Sequence, residues 1–93
     1  MFTDIAGYTA LMQENEAEAM RLRNRQRLVL EQFIPGHNGR ILQTFGDGTL
    51  SVFPSALDAV SCAVKIQLDL QTEPVCPLRV GIHTGDITYD MDD

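Results

Sequence analysis

The sequence predicts an α+β domain whose elements follow as strand, helix, strand, strand, helix, strand. Three observations carry that reading. Short apolar runs end in small-residue turns at FTDIAGYT (2–9) and FGDGT (45–49), as strands do. Two longer stretches hold apolar residues near helical period and contain capping signals. A further segment, PLRVGIHTGDI (77–87), alternates its faces with the period of a strand. This order is that of the ferredoxin-like βαββαβ sandwich, with helices on one sheet face and the other face open.

Residues 1–5 form the first strand. Thr9 to about Ile34 is helical, with a break near Asn15, because Asn15 and Glu18 have the spacing of an N-cap and its acidic partner. Leu22, Val29, Leu30, Phe33 and Ile34 supply its apolar stripe. Pro35-Gly36 and Asn38-Gly39 end it. Ile41–Phe45 and Leu50–Phe53 then flank the GDG turn as a hairpin. Ser55 and Asp58 repeat the capping spacing, and the second helix is expected to bury Ala56, Val60, Ala63, Val64 and Leu68. Pro74 and Pro77 bracket a loop before the last strand. There Leu78, Val80 and Ile82 share one face, and Arg79, Gly81 and His83 the other. Packing gives no reason for an arginine on that face. With no internal repeat or low-complexity linker, residues 1–93 read as one small domain.

Each acidic turn places one carboxylate, Asp4 or Asp47, among small residues that let backbone and ligand approach. Each also has a plainer reading. Asp-Gly between two strand-like runs is a hairpin signal, and Asp4 can help to cap the helix after it. The pairing favours more. Two carboxylates from neighbouring strand ends are what a divalent cation carrying phosphates requires, since magnesium keeps phosphates and waters in its shell. The first turn runs straight into a helix, so its free N–H groups can receive an anion. Together the two turns read as a metal–nucleotide site.

FTDIAGYTALM, ILQTFGDGTLSVFPSALDAVSCAVKIQ and LRVGIHTGDI, in this order and spacing, resemble successive blocks of the class III nucleotidyl cyclase catalytic domain. The resemblance covers nearly the whole chain and corresponds to the N-terminal half of that domain. The family's later block, with an Asn and an Arg four residues beyond it, has no counterpart before Asp93. The resemblance implies cyclisation of a nucleoside triphosphate with release of pyrophosphate; it leaves the choice between ATP and GTP open, and ATP is favoured only as the commoner substrate of such sequences. It implies two Mg2+ (or Mn2+) ions on Asp4 and Asp47, with the carbonyl of Ile5 as a further ligand. It also implies β- and γ-phosphates cradled by the N–H groups of Ala6, Gly7, Tyr8 and Thr9 and bound by Arg79. A homodimer would form through the open sheet face. At the base-reading position, where the family commonly has Lys or Glu, this chain has Gln43, which can donate and accept and so meet either purine edge. A catalytically silent cyclase-like module that dimerises or senses nucleotide is the rival reading.

The composition excludes other classes. A net charge of −6 disfavours nucleic acid and anionic membranes, which need a basic patch. A ferredoxin-like RNA binder would carry a basic face with stacking aromatics, and Phe45 and Phe53 are too few. Cys62 and Cys76 lie outside metal and redox spacings and read as reduced thiols of a cytoplasmic protein, whose parent can be membrane-anchored elsewhere. No run is long and apolar enough to span a bilayer. Arg21, Arg23, Arg25 and Arg27 point to alternating sides of a helix and read as a solvated surface, with Glu18–Arg21 and Arg27–Glu31 at pairing distance. His83 reads as structural, Tyr8 as packing at the helix entry, and Met12 and Met20 as filler. Asp86, Asp90, Asp92 and Asp93 read as an exposed turn.

Overall fold

Seven elements follow one another in the computed structural model, which describes residues 1–85: β1 (Phe2–Ile5), α1 (Tyr8–Glu14), α2 (Glu16–Gly36), β2 (Arg40–Phe45), β3 (Gly48–Val52), α3 (Ala56–Leu70) and β4 (Leu78–Gly81). The acidic cluster at Asp86, Asp90, Asp92 and Asp93 lies outside the described residues. The strands form one sheet in the order β2-β3-β1-β4, with every neighbouring pair antiparallel. That order is compatible with the ferredoxin-like fold, which brings β1 to the centre between β3 and β4. Strand alternation then fixes the faces. Thr3, Ile5, Ser51 and Leu78 are buried on the helix side, while Phe2, Leu50 and Arg79 are exposed on the other.

The capping expectations are met by hydrogen bonds. Asn15 accepts from the Glu18 N–H at 3.1 Å and starts α2, and Ser55 accepts from the Asp58 N–H at 3.1 Å and starts α3. Pro35 does not end α2 but lies in its last turn. Asn38, at φ 64°, makes the reversal, and the Gly39 N–H returns to the Ile34 carbonyl at 2.8 Å. The last strand is shorter than its sequence pattern, ending at Gly81 with Ile82 beyond it. No described helix is long and apolar enough to cross a membrane.

The buried face of α3 differs from the expected one. Ala59, Cys62, Ile66 and Leu70 enter the core, whereas Ala56, Val60, Val64 and Leu68 are exposed and Ala63 is half-buried. The helix carries two apolar stripes of the same spacing, and only the first meets α2 and the sheet. Ala59 and Cys62 are small, which lets the helix lie close to its neighbours. Arg25 also departs from the reading of a solvated surface. Its guanidinium donates to the carbonyls of Pro74 at 2.6 Å, Asp69 at 2.9 Å and Thr72 at 3.1 Å, and so fastens the loop after α3 to α2. Glu18 and Arg21 pair as expected, and no ion pair joins Arg27 to Glu31 among the described residues.

Cys62 and Cys76 are buried free thiols. Burial pushes the Cys62 thiol from an ordinary 9.0 up to about 11 and raises that of Cys76 as well. The folded state therefore favours the protonated thiol. Its contribution to stability is complete below pH 9.0 and is lost as pH rises towards 11. Native protein at pH 8 is expected to resist a thiol reagent that reacts with both cysteines after denaturation. Rapid labelling of the native protein would contradict that burial.

Candidate functional site

The hairpin between β2 and β3 turns on Gly46 and Asp47, with Gly46 at φ 63°. Positive φ at the first central position is the demand of a type II′ turn, met here by the glycine before the aspartate. The turn is tied down on both sides of Asp47. Its carboxylate accepts from the Ile5 N–H at 2.9 Å, and its carbonyl accepts from the Gln26 side chain at 3.0 Å. Gln26 is a buried amide within the apolar stripe of α2, and the sequence reading missed it. A polar residue four positions after Leu22 on that stripe is the signal that marks it.

The second carboxylate arrives from the centre of the sheet. Asp4 lies directly opposite Arg79 in the β1–β4 ladder. Arg79 Nε and Nη2 donate to Asp4 Oδ1 and Oδ2, each at 2.7 Å, forming a two-pronged ion pair. These hydrogen bonds, with the nearby charges of Asp4 and Asp47, raise the Arg79 guanidinium further above its usual value. Asp4, Ile5, Asp47 and Arg79 line one cleft of about 220 Å³ with Gly7, Tyr8, Thr9 and Ala10.

The cleft's remaining wall is the start of α1. Gly7, at φ 73°, occupies the N-cap position, and no side chain caps the helix. Among the described residues the N–H groups of Gly7, Tyr8 and Thr9 have no backbone partner. Ala6 corrects the expectation, because its N–H donates to the Pro77 carbonyl at 2.8 Å and is not available to a phosphate. The ring of Tyr8 packs against the core, as expected for a residue at the helix entry. Gln43 does not line this cleft. It is exposed on β2 opposite Leu50, beside a register shift between Ile41 and Gln43.

The donor set separates metal classes. No group of three or more His, Cys, Asp and Glu gathers among the described residues, so a cage made wholly of protein ligands is not formed there. Two carboxylates, one from β1 and one from the β2–β3 turn, suit Mg2+ or Mn2+, which complete their shells with phosphate oxygens and water. On the same sheet face Phe2 stacks on Phe45 with ring centroids 5.6 Å apart, and Leu50 is also exposed. Ile82 and His83 border a hollow of about 420 Å³ with Phe2, Leu42 and Leu50.

Comparison with known proteins gives three relatives. The chain is 37% identical over 98 residues, 97% of its length, to "Putative adenylate cyclase 3" of Rhizobium meliloti (strain 1021). It is 47% identical over 57 residues, 57% of its length, to an uncharacterized protein of Mycobacterium tuberculosis. It is 33% identical over 101 residues, 99% of its length, to the serine/threonine-protein kinase pkn2 of Myxococcus xanthus. The chain spans 17%, 21% and 12% of these relatives, so the likeness is to a segment of each. No protein-family model matches the chain.

Proposed function

We propose that this chain is the metal- and triphosphate-binding part of a class III nucleotidyl cyclase domain, forming a 3′,5′-cyclic nucleotide and pyrophosphate from ATP. The observation that carries the reading is the meeting of Asp4, Asp47, Arg79 and the open start of α1 in one cleft. The likeness to a protein bearing an adenylate cyclase name supports it.

Asp4, Asp47 and the Ile5 carbonyl would hold two Mg2+ or Mn2+ ions, which when bound neutralise triphosphate charge and lower the pKa of the ribose 3′-hydroxyl. The chain's own groups do the rest. Arg79 binds phosphate oxygens, and the N–H groups of Gly7, Tyr8 and Thr9 receive the β- and γ-phosphates at the helix start. The bonds from Ile5 and Gln26 hold Asp47 in place before the nucleotide arrives. Exposed Phe2, Phe45 and Leu50 give the open sheet face an apolar surface for a second copy. The domain works in the cytoplasm, where triphosphates are available and thiols stay reduced.

The test is product formation by the whole protein that carries this segment, given ATP with Mg2+ or Mn2+. Cyclic AMP and pyrophosphate in equal amounts are expected; their absence, with nucleotide bound, would replace this reading with the silent module. One observation favours that rival: Arg79 occupies both oxygens of Asp4. Base choice gives a second check, because Gln43 offers both a donor and an acceptor. Gln43→Lys is expected to shift kcat/KM towards ATP, and Gln43→Glu towards GTP. An unchanged ratio in both variants would remove Gln43 from the base site.

A further inference from the structure

We infer that Arg79 is a gate on the cation site, so that metal and triphosphate can bind fully only together; the inference rests on the proposed metal–triphosphate reading. In the present state each carboxylate oxygen of Asp4 accepts an N–H of Arg79 at 2.7 Å. A divalent cation can take those oxygens only by evicting the guanidinium, whose positive charge also repels it. The same pair restrains the other ligand. With Nε and Nη2 engaged on Asp4, Arg79 has lost one face of its donor fork and much of its attraction for an anion.

Each ligand therefore releases the group that the other needs. A cation on Asp4 frees Arg79 for phosphate, and a phosphate drawing Arg79 away bares Asp4 for the cation. The exchange is easy because the Arg79 side chain is 68% exposed and swings without disturbing the core. Asp47 does not share the constraint. Its carboxylate accepts a backbone N–H from Ile5, a neutral donor, and feels Arg79 through charge alone, without a hydrogen bond to it. The cleft thus holds one carboxylate ready for a cation and one latched, which makes Arg79 a positioning residue before it is a phosphate ligand.

The gate predicts opposite signs for one substitution. Binding of bare Mn2+ to the 93-residue chain is measured by loss of its free electron-spin-resonance signal. Binding of preformed Mn2+–triphosphate is measured by calorimetry. Arg79→Gln is expected to tighten bare Mn2+ by roughly three- to tenfold, because a unit charge beside the site is removed. The same variant is expected to weaken the Mn2+–triphosphate complex at least threefold. Arg79→Lys, which keeps the charge without the fork, should fall between on bare Mn2+ and serves if the Gln variant does not fold. In Asp4→Asn, where there is no ion pair to release, adding Arg79→Gln should tighten Mn2+ less than it does beside Asp4, what is left being the loss of a nearby positive charge. If wild type binds the complex but Arg79→Gln leaves bare Mn2+ unchanged or weaker, the gate is wrong and the site stands. If wild type fails to bind the complex, the metal–triphosphate reading itself falls, and the gate with it.

Discussion

Asp47→Asn is expected to lower cyclic-nucleotide formation by the whole protein about a hundredfold or more, with little loss of folded stability. The amide removes the charge that a divalent cation requires. Its remaining carbonyl oxygen still accepts the Ile5 N–H, which Asp47 Oδ2 now holds at 2.9 Å. Asp47→Ala loses both functions. It leaves the Ile5 donor without its partner, adding a stability loss of about 1–3 kcal/mol to the same loss of turnover. Asp4→Asn should match Asp47→Asn in turnover and leave the melting temperature nearly unchanged, since its ion pair with Arg79 lies at the surface. Thermal unfolding and a turnover assay on the three variants separate these effects. Substantial turnover in either Asn variant with metal in excess would remove that carboxylate from the chemistry.

Ile66→Ala is expected to destabilise the domain by about 2–5 kcal/mol, a large part of the roughly 5–15 kcal/mol available to a small domain. Ile66 is fully buried on the inner stripe of α3, between Cys62 and Leu70. Leu68→Ala, two residues along the same helix, removes a side chain that is 61% exposed. It should cost less than about 1 kcal/mol. Denaturant unfolding of the two variants decides which stripe faces the core. A larger loss for Leu68→Ala would restore the stripe expected from sequence.

What was legible in the sequence was mostly local. The caps at Asn15 and Ser55 depend on contacts three residues away, and both form. The hairpin is encoded in its turn, although Gly46 rather than the Asp-Gly pair supplies the positive φ. Sheet order followed from the sequence of elements, because short connections and antiparallel pairing leave few alternatives. The face of α3 was not legible, since Leu57, Val60, Val64 and Leu68 repeat the spacing of Ala59, Cys62, Ile66 and Leu70. Periodicity finds a stripe but cannot choose between two. Long-range polar contacts were also hidden. Arg25 reaches Pro74, 49 residues away, and Gln26 reaches Asp47, 21 away. Nothing in either local pattern reports that partner.

The site shows the same division. Asp4 and Asp47 stood out as a pair of carboxylates at neighbouring strand ends, and Arg79 as an arginine that packing left unexplained, and the fold brings them to one cleft. Their state could not be read in advance. The Asp4–Arg79 ion pair depends on the β1–β4 register, which sets the two residues opposite each other. The loss of Ala6 as a donor depends on the approach of Pro77. A two-residue sequence pattern reports neither.

The most direct measurement is nuclear magnetic resonance of the isotope-labelled chain with Mn2+ and a non-reacting ATP analogue added together. Paramagnetic broadening falls steeply with distance from the ion, so it maps the site residue by residue. The account predicts loss of the amide signals of Asp4 to Thr9, of Gly46 to Gly48 and of Arg79, while those of Cys62 and Ile66 on the far side of the sheet persist. Broadening centred elsewhere, or none with the nucleotide in excess, would contradict the assignment of this cleft to a metal-bound triphosphate.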